Sequence, residues 1–320
     1  MVERSALQHH RKCKGELMRV GVVDCGTNSI RLLIADIEGN NFREVTRQMQ
    51  VVRLGQGVDE TNQFHPDAIS RTFAAVDLYA AEIARRGVEK LRFCATSATR
   101  DALNREVFVD GVKERLGIEP EVISGDEEAR LSFAGATREF SRADGPFLVV
   151  DIGGGSTEFV LGTDSVDNAI SVNIGCVRMT ERHFRNDPPT ADEIAIARSD
   201  IQNAIDIASA SVDIKSAKTL VCVAGTATTV AAAALNLPEY DRHAIHLSRI
   251  SADQVHAVSN KFLTMTRDER AALGYMHPGR VDVITAGSLV LSKIVKATGA
   301  KEFVASENDI LDGMAWSLAK

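Results

Sequence analysis

The sequence predicts an α/β protein of two duplicated halves facing a cleft, and three observations support that prediction. Runs of β-branched residues alternate with segments of 3.6-residue apolar spacing along the chain. Two segments repeat one pattern: RVGVVDCGTNSIRLLIAD at 19–36 and FLVVDIGGGSTEFVLGTD at 147–164. Each reads as strand, Asp, small Gly-rich turn and second apolar strand, a hairpin with free N–H groups at its tip. The leading aspartates, Asp24 and Asp151, are offset by 127 residues, so each half holds one copy. Finally, 320 residues with 44% hydrophobic and 25% charged side chains are enough to bury two cores.

That composition excludes a disordered, collagen-like or disulfide-stapled chain. With 37 basic and 44 acidic side chains the net charge is −7. Such a balance argues against a nucleic-acid coat or an anionic-membrane binder, and leaves room for a local basic pocket. The five cysteines (13, 25, 94, 176 and 222) form no Cys-x-x-Cys motif and no Cys/His cluster, as expected of reduced thiols in a cytoplasmic protein. The longest clean apolar run, Val230 to Leu235, is far too short to span a membrane. Residues 1–17 are polar and basic without an apolar stretch, so they are expected to be a disordered extension ahead of a true start at Met18.

The elements follow in order. Pro66 opens a helix whose apolar positions are Ile69, Phe73, Val76, Ala80 and Ile83. Leu91 to Ala95 is a short strand ending in Thr96-Ser97-Ala98-Thr99-Arg100. Glu121 to Ile123 is another, followed by Ser124-Gly125-Asp126-Glu127, a capping-box pattern. The Arg138–Gly145 stretch is the expected boundary between domains at 18–140 and 141–308. After the second hairpin, Thr190-x-x-Glu193 opens a long helix, and Leu220 to Ala224 is a buried-type strand running into Gly225-Thr226-Ala227-Thr228-Thr229. Ser251-x-x-Gln254 and Thr266-x-x-Glu269 open two more helices. A helix from about Val281 to Lys296, a strand at Phe303–Ala305 and a terminal helix over about 309–320, placed back on the first domain, complete the chain.

Three small-residue turns carry the chemistry: Asp24–Ser29, Asp151–Glu158 and Ala224–Thr229. Their N–H groups stand clear of bulky side chains, which is what an oxyanion needs. Asp151 and Glu158 flank the Gly153-Gly154-Gly155-Ser156 turn, so a tight hairpin points both carboxylates at one place. Paired hard oxygen ligands beside a phosphate turn suit Mg²⁺. Glu127 is the natural capping partner of Ser124. Glu128 projects about 100° further round the helix and is free to reach the cleft.

The segments DCGTNSIRLL, ATSATR, ISGDEEARL, VVDIGGGSTE, AGTATT and HPGRVDVITAG resemble the exopolyphosphatase/guanosine-pentaphosphate phosphohydrolase family, within the superfamily of actin, Hsp70 and sugar kinases. The resemblance runs from about Met18 to the C-terminus. It implies two ribonuclease H-like (actin-like ATPase) domains with the site in the cleft between them. It implies hydrolysis of a terminal phosphoanhydride on polyphosphate or on pppGpp, with Mg²⁺, or Mn²⁺ in its place, as cofactor. Residue by residue, it aligns the catalytic glutamate with Glu128 and the phosphate-clamping arginine with Arg100. Phosphate-turn positions fall on Asn28, Ser29, Gly154, Gly155, Ser156, Gly225 and Thr226, with Arg280 as a further anion contact. The metal set is Asp151, Glu158 and Asp24, and His277 is structural. The implied partner is polyphosphate or guanosine polyphosphate, with no nucleic acid and no membrane, in a cytoplasmic homodimer. Longer relatives carry an extra C-terminal helical region that this sequence lacks, so the expected preference is for short chains. Two rivals are a phosphotransferase of the same superfamily and a non-catalytic alarmone sensor; the set Glu128, Asp151 and Glu158 argues against the sensor.

Overall fold

The computed structural model describes residues 17–319. The expectation for the first seventeen residues therefore falls, Leu17 apart, outside the described residues. Two sheets organise the chain. The first has strand order β3-β2-β1-β4-β5, from β1 (Met18–Cys25), β2 (Ser29–Glu38), β3 (Asn41–Val51), β4 (Lys90–Ala95) and β5 (Glu121–Val122). The second has order β10-β11-β9-β6-β7-β8, from β6 (Phe147–Ile152), β7 (Thr157–Gly162), β8 (Val166–Val172), β9 (Thr219–Val223), β10 (Arg249–Ser251) and β11 (Glu302–Ala305). In each, three consecutive strands form an antiparallel meander whose first strand pairs in parallel with a later one. The duplicated pattern in the sequence is thus a duplicated sheet, with β10 as an extra antiparallel edge.

The helices of the first half are α1 (Val58–Thr61), α2 (Pro66–Arg86), α3 (Ser97–Asp101), α4 (Arg105–Leu116) and α5 (Gly125–Ala136). The second half adds α6 (Cys176–His183), α7 (Ala191–Ser211), α8 (Ala224–Ala234), α9 (Arg242–Ile245), α10 (Ala252–Thr264), α11 (Arg267–Ala271), α12 (Ile284–Thr298) and α13 (Ile310–Ser317). Helix α2 starts at Pro66 and ends at Gly87, whose φ of 64° places it in the left-handed region that stops helices. The boxes expected at Thr190, Ser251 and Thr266 all form. No helix among the described residues is long and apolar enough to cross a membrane; the run from Val230 to Leu235 instead lies at the end of α8 and its C-cap.

Two differences from the sequence reading have physical causes. The small residues after β9 are not a loop: they form the first turns of α8, entered through Ala224 at φ 65°. The last long helix starts at Ile284, because His277 caps a 3₁₀ turn over Pro278–Arg280 that occupies the chain just before it.

Each half has its own core. Val23, Ile30, Leu32, Val76, Phe93 and Phe108 anchor the first, and Leu148, Val150, Ile201, Val230, Phe262 and Ile294 the second. Helix α13 returns to the outer face of the first sheet, burying Ile310, Leu311 and Met314 against Val20, Val22 and Leu33. It crosses α5 at two glycines. A Cβ on Gly135 would fall 1.9 Å from the Asp309 carbonyl oxygen, and one on Gly313 1.9 Å from that of Leu131. Helix α5 is thereby fixed at backbone contact, and α5 carries Glu128.

Candidate active site

The two hairpin turns and the start of α8 meet in one cleft between the sheets. Gly26 N–H donates to the Ser29 carbonyl at 2.9 Å, and Gly153 N–H to the Ser156 carbonyl at 3.0 Å, so both turns close tightly on themselves. They also press on each other. A Cβ on Gly154 would lie 2.8 Å from Thr27 Cβ, and one on Gly155 2.4 Å from Ser97 Oγ. Glycine is required here by close approach rather than by turn geometry. The cleft holds a cavity of about 110 Å³. Its walls include Asn28, Ser29, Gly154, Gly155, Ser156, Gly225, Thr226 and Arg280 from the expected phosphate set, together with Asp24, Asp151 and Glu128. Glu158 adjoins it, fully buried. Arg100 is not on the wall.

Strand register explains the charges. Asp24 and Arg31 are cross-strand partners on β1 and β2; Asp151 and Glu158 hold the matching positions on β6 and β7. In the first half the aspartate is neutralised: Arg31 donates to Asp24 Oδ2 at 2.7 and 3.1 Å and also pairs with Asp309 at the start of α13. In the second half the partner is another carboxylate. Burial and the Glu158 charge push Asp151 up to about 7. Burial also raises Glu158, against two serine hydroxyls and Arg100. The duplication thus presents one matched and one doubled negative charge to the same cleft.

Ser124 Oγ accepts from Glu127 N–H at 3.2 Å, as the spacing predicts. The box does not close, because the Glu127 carboxylate turns away to Arg92 on β4 at 2.5 Å. Glu128 faces the cavity instead. Arg100 stands behind it, donating through Nη1 to Glu128 Oε2 at 2.8 Å and to the Ile123 carbonyl at 3.0 Å. Burial and Glu158 raise the Glu128 carboxyl well above its usual range despite Arg100. Such a carboxyl beside a cavity lined by free turn N–H groups has the character of a proton acceptor.

Among the described residues eight buried side-chain atoms lack a partner, and five of them belong to Asp24, Thr27, Asn28, Ser97 and Glu158. Buried polar groups are normally paired, so this clustering marks a ligand site. Thr27 and Ser97 were not among the candidates, although both lie inside motifs the sequence displays. Also missed was Arg178, which donates to the Gly155 carbonyl at 2.7 Å and to Asp101 at 2.5 Å and pairs with Asp59, tying the second turn to α1 and α3. Across the cleft Arg53 pairs with Asp282 at 2.5 Å, and Asn28 Nδ2 donates to the Gly279 carbonyl at 3.4 Å. Arg280 lies on Gly225, where a Cβ would meet its Nε at 2.7 Å, and donates to Thr229 Oγ1 at 3.0 Å. His277 accepts from Gly279 N–H at 3.1 Å as the cap of its 3₁₀ turn.

No three His, Cys, Asp or Glu side chains among the described residues form a ready cage for a divalent cation. Asp151 and Glu158 nevertheless suit one: they are buried, share no arginine hydrogen bond, and Glu158 Oε2 has no partner at all. Two carboxylates with water and phosphate oxygens making up the rest is how Mg²⁺ is commonly bound.

Two duplicated α/β domains, closing two N–H-rich hairpin turns, the start of α8 and a carboxylate pair around a small cavity, define a phosphate-handling protein of the actin-like fold. Comparison with known proteins narrows the class. The profile of the Ppx/GppA phosphatase family matches residues 33–320, and the chain belongs to that family. It is 46% identical over 316 residues to Exopolyphosphatase 2 of Mycobacterium tuberculosis, covering 95% of this chain and 99% of that one. A solved exopolyphosphatase-like protein, also 46% identical, superposes with a TM-score of 0.91 over 95% of this chain and 98% of its own. The Ppx/GppA family member of Aquifex aeolicus superposes with a TM-score of 0.79 at 30% identity, over 95% and 98% of the two chains.

Proposed function

We propose that the protein is an exopolyphosphatase that releases orthophosphate from the end of inorganic polyphosphate. The observation that carries this reading is Glu128: a carboxylate only 12% exposed, held by Arg100 and facing a cavity of about 110 Å³ walled by the two hairpin turns and the start of α8. Glu128 accepts the proton of a water placed in line with the terminal phosphoryl group. Arg100 fixes the glutamate's direction through the 2.8 Å contact. The N–H groups of the turns at Asn28, Gly154, Gly155 and Gly225, with the Arg280 guanidinium, take the charge on the phosphoryl oxygens. Mg²⁺, or Mn²⁺ in its place, would be held by Asp151 and Glu158 and would neutralise phosphoryl oxygens when bound. Asp24, the third residue of the proposed metal set, is matched by Arg31 on Oδ2 and keeps Oδ1 unpaired. The preference for short polyphosphate is carried over from the family resemblance. A cytoplasmic homodimer belongs to the same proposal, on the strength of the family resemblance.

One observation favours a second substrate, the 5′ triphosphate end of pppGpp. Met49, Val51 and Val283 give the cleft an apolar wall that bare polyphosphate cannot use and a purine can. Phosphate release from short polyphosphate, long polyphosphate, pppGpp and ATP, each with Mg²⁺ and with EDTA, tests both. We expect Mg²⁺-dependent release, fastest on short polyphosphate. Release from none of them, or release unaffected by EDTA, overturns the proposal.

A further inference from the structure

Three serine hydroxyls divide the work of the carboxylate pair. Ser132 Oγ donates to Asp151 Oδ2 at 2.6 Å. Ser156 Oγ and Ser171 Oγ both donate to Glu158 Oε1, each at 2.7 Å. All the hydrogen bonds to Glu158 from side chains therefore fall on one oxygen, and Oε2 is left buried and bare. A hydroxyl orients a carboxylate without cancelling its charge, whereas an arginine does both. The first half of the duplication shows the second solution, with Arg31 on Asp24.

Two of these serines also touch the helix of the general base. Ser132 lies on α5, one turn beyond Glu128, and is fully buried. Ser171 lies on β8, where it packs so tightly on the start of α5 that a Cβ on Gly125 would fall 2.7 Å from its own Cβ. The base and the two carboxylates are thereby held in one register from the start and the middle of α5.

We infer that Ser132 and Ser171 are positioning residues for a divalent cation: they aim Asp151 and Glu158, keep one oxygen of the Glu158 carboxylate open with its charge intact, and lock both to the helix that carries Glu128. This rests on the metal role proposed above for the two carboxylates. The partners of metal-ligating side chains typically change affinity by about 10–100-fold when removed.

The test measures Mn²⁺ binding to the full-length protein without substrate, by electron paramagnetic resonance, alongside Mg²⁺ activation of phosphate release. The variants are Ser132→Ala, Ser171→Ala and Asp151→Asn. We expect each serine variant to weaken Mn²⁺ binding by about 10-fold and to need correspondingly more Mg²⁺ for half-maximal rate, the defect shrinking as Mg²⁺ rises. Asp151→Asn should abolish Mn²⁺ binding. If it does and the serine variants bind Mn²⁺ like the parent, the serine inference fails alone. A rate defect that Mg²⁺ does not relieve likewise makes the serines simple packing. If Asp151→Asn binds Mn²⁺ like the parent, the metal reading itself is wrong. Thermal melting of the metal-free proteins separates these outcomes from misfolding, and Ser171→Thr, which keeps the donor, should bind more tightly than Ser171→Ala.

Discussion

Glu128→Gln is the sharpest perturbation of the proposed chemistry, because the structure predicts opposite effects on rate and stability. Glutamine keeps the oxygen that accepts from Arg100 at 2.8 Å, so the side chain should hold its place. It loses the charge and the basicity. A positioned general base is worth about 10²–10⁴ in rate, or about 3–5 kcal/mol of barrier. Stability should move the other way. Burial and the Glu158 charge hold the Glu128 carboxyl well above its usual range, so at neutral pH the ionised form is a cost to the folded state. Each pH unit of such an upward shift is about 1.4 kcal/mol. Removing the charge relieves part of that cost, as often happens where catalytic groups are held under strain. The assay is initial-rate phosphate release from short polyphosphate at saturating Mg²⁺, with thermal melting of the same samples without metal. We expect a loss of at least 100-fold and a melting temperature no lower than the parent's. A variant keeping a tenth of the rate or more refutes the base assignment. A variant that melts well below the parent refutes the electrostatic account of Glu128.

Two further outcomes follow from the packing. Gly154→Ala places a Cβ 2.8 Å from Thr27 and 3.2 Å from the Asn28 nitrogen, while the Gly154 carbonyl is pinned by the N–H groups of Val177 and Arg178 at 2.8 and 3.1 Å. The turn cannot retreat, so kcat/KM should fall at least about 10-fold, with about 1–3 kcal/mol of destabilisation read from urea unfolding; parent-like values would show that the two turns do not act as one cradle. Asp309→Asn concerns the docking of α13. Burial alone would raise Asp309, but Arg31 and Arg47 more than offset it and hold its carboxyl below the ordinary value. Its contribution is present above the unfolded-state value near 4 and is lost as pH falls through the lower native one. Denaturant unfolding should therefore show Asp309→Asn less stable than the parent at pH 7, with the gap closing below about pH 4; a gap constant with pH would mean the charge contributes nothing.

What the sequence displays and what it hides separate cleanly by range. Capping boxes are local, and those at Thr190, Ser251 and Thr266 form as their spacing requires. The one at Ser124 closes only halfway, since Arg92, over thirty residues upstream, draws the Glu127 carboxylate away. The hairpin turns were legible because Asp, small residues and β-branched flanks have short-range signatures. The same signatures at Ala224–Thr229 predict a turn, whereas the chain there continues into helix, because nothing local distinguishes a small-residue loop from a small-residue first turn of a helix. Pairs such as Arg178 with Asp101, Asn28 with Gly279 and Arg47 with Asp312 join distant segments. No spacing rule reaches them. The serine donors to Asp151 and Glu158 are hidden for a related reason: Ser132 reads as an ordinary helix residue and Ser171 as an ordinary strand residue until the fold brings them to the carboxylates.

One feature was in plain sight in the sequence and acquired its meaning only from strand register. Asp24 and Asp151 lead equivalent turns, and seven residues after each stands its cross-strand partner, Arg31 in one copy and Glu158 in the other. A single duplicated scaffold has thus been given opposite electrostatics at matching points. The first copy, with its charge matched internally, can hold its turn against a polyanion without a counter-ion and passes its arginine on to Asp309, which ties in the last helix. The second copy holds two carboxyls out of water: burial raises both, and the Glu158 charge adds to the rise at Asp151. A cation relieves that repulsion and a phosphate chain alone does not. On the proposed reading the net charge of −7 is then no obstacle to binding a polyanion: attraction would be confined to the turn N–H groups, Arg280 and the cation proposed for the second copy, while the acidic exterior would leave a chain end in the cleft as the favoured contact.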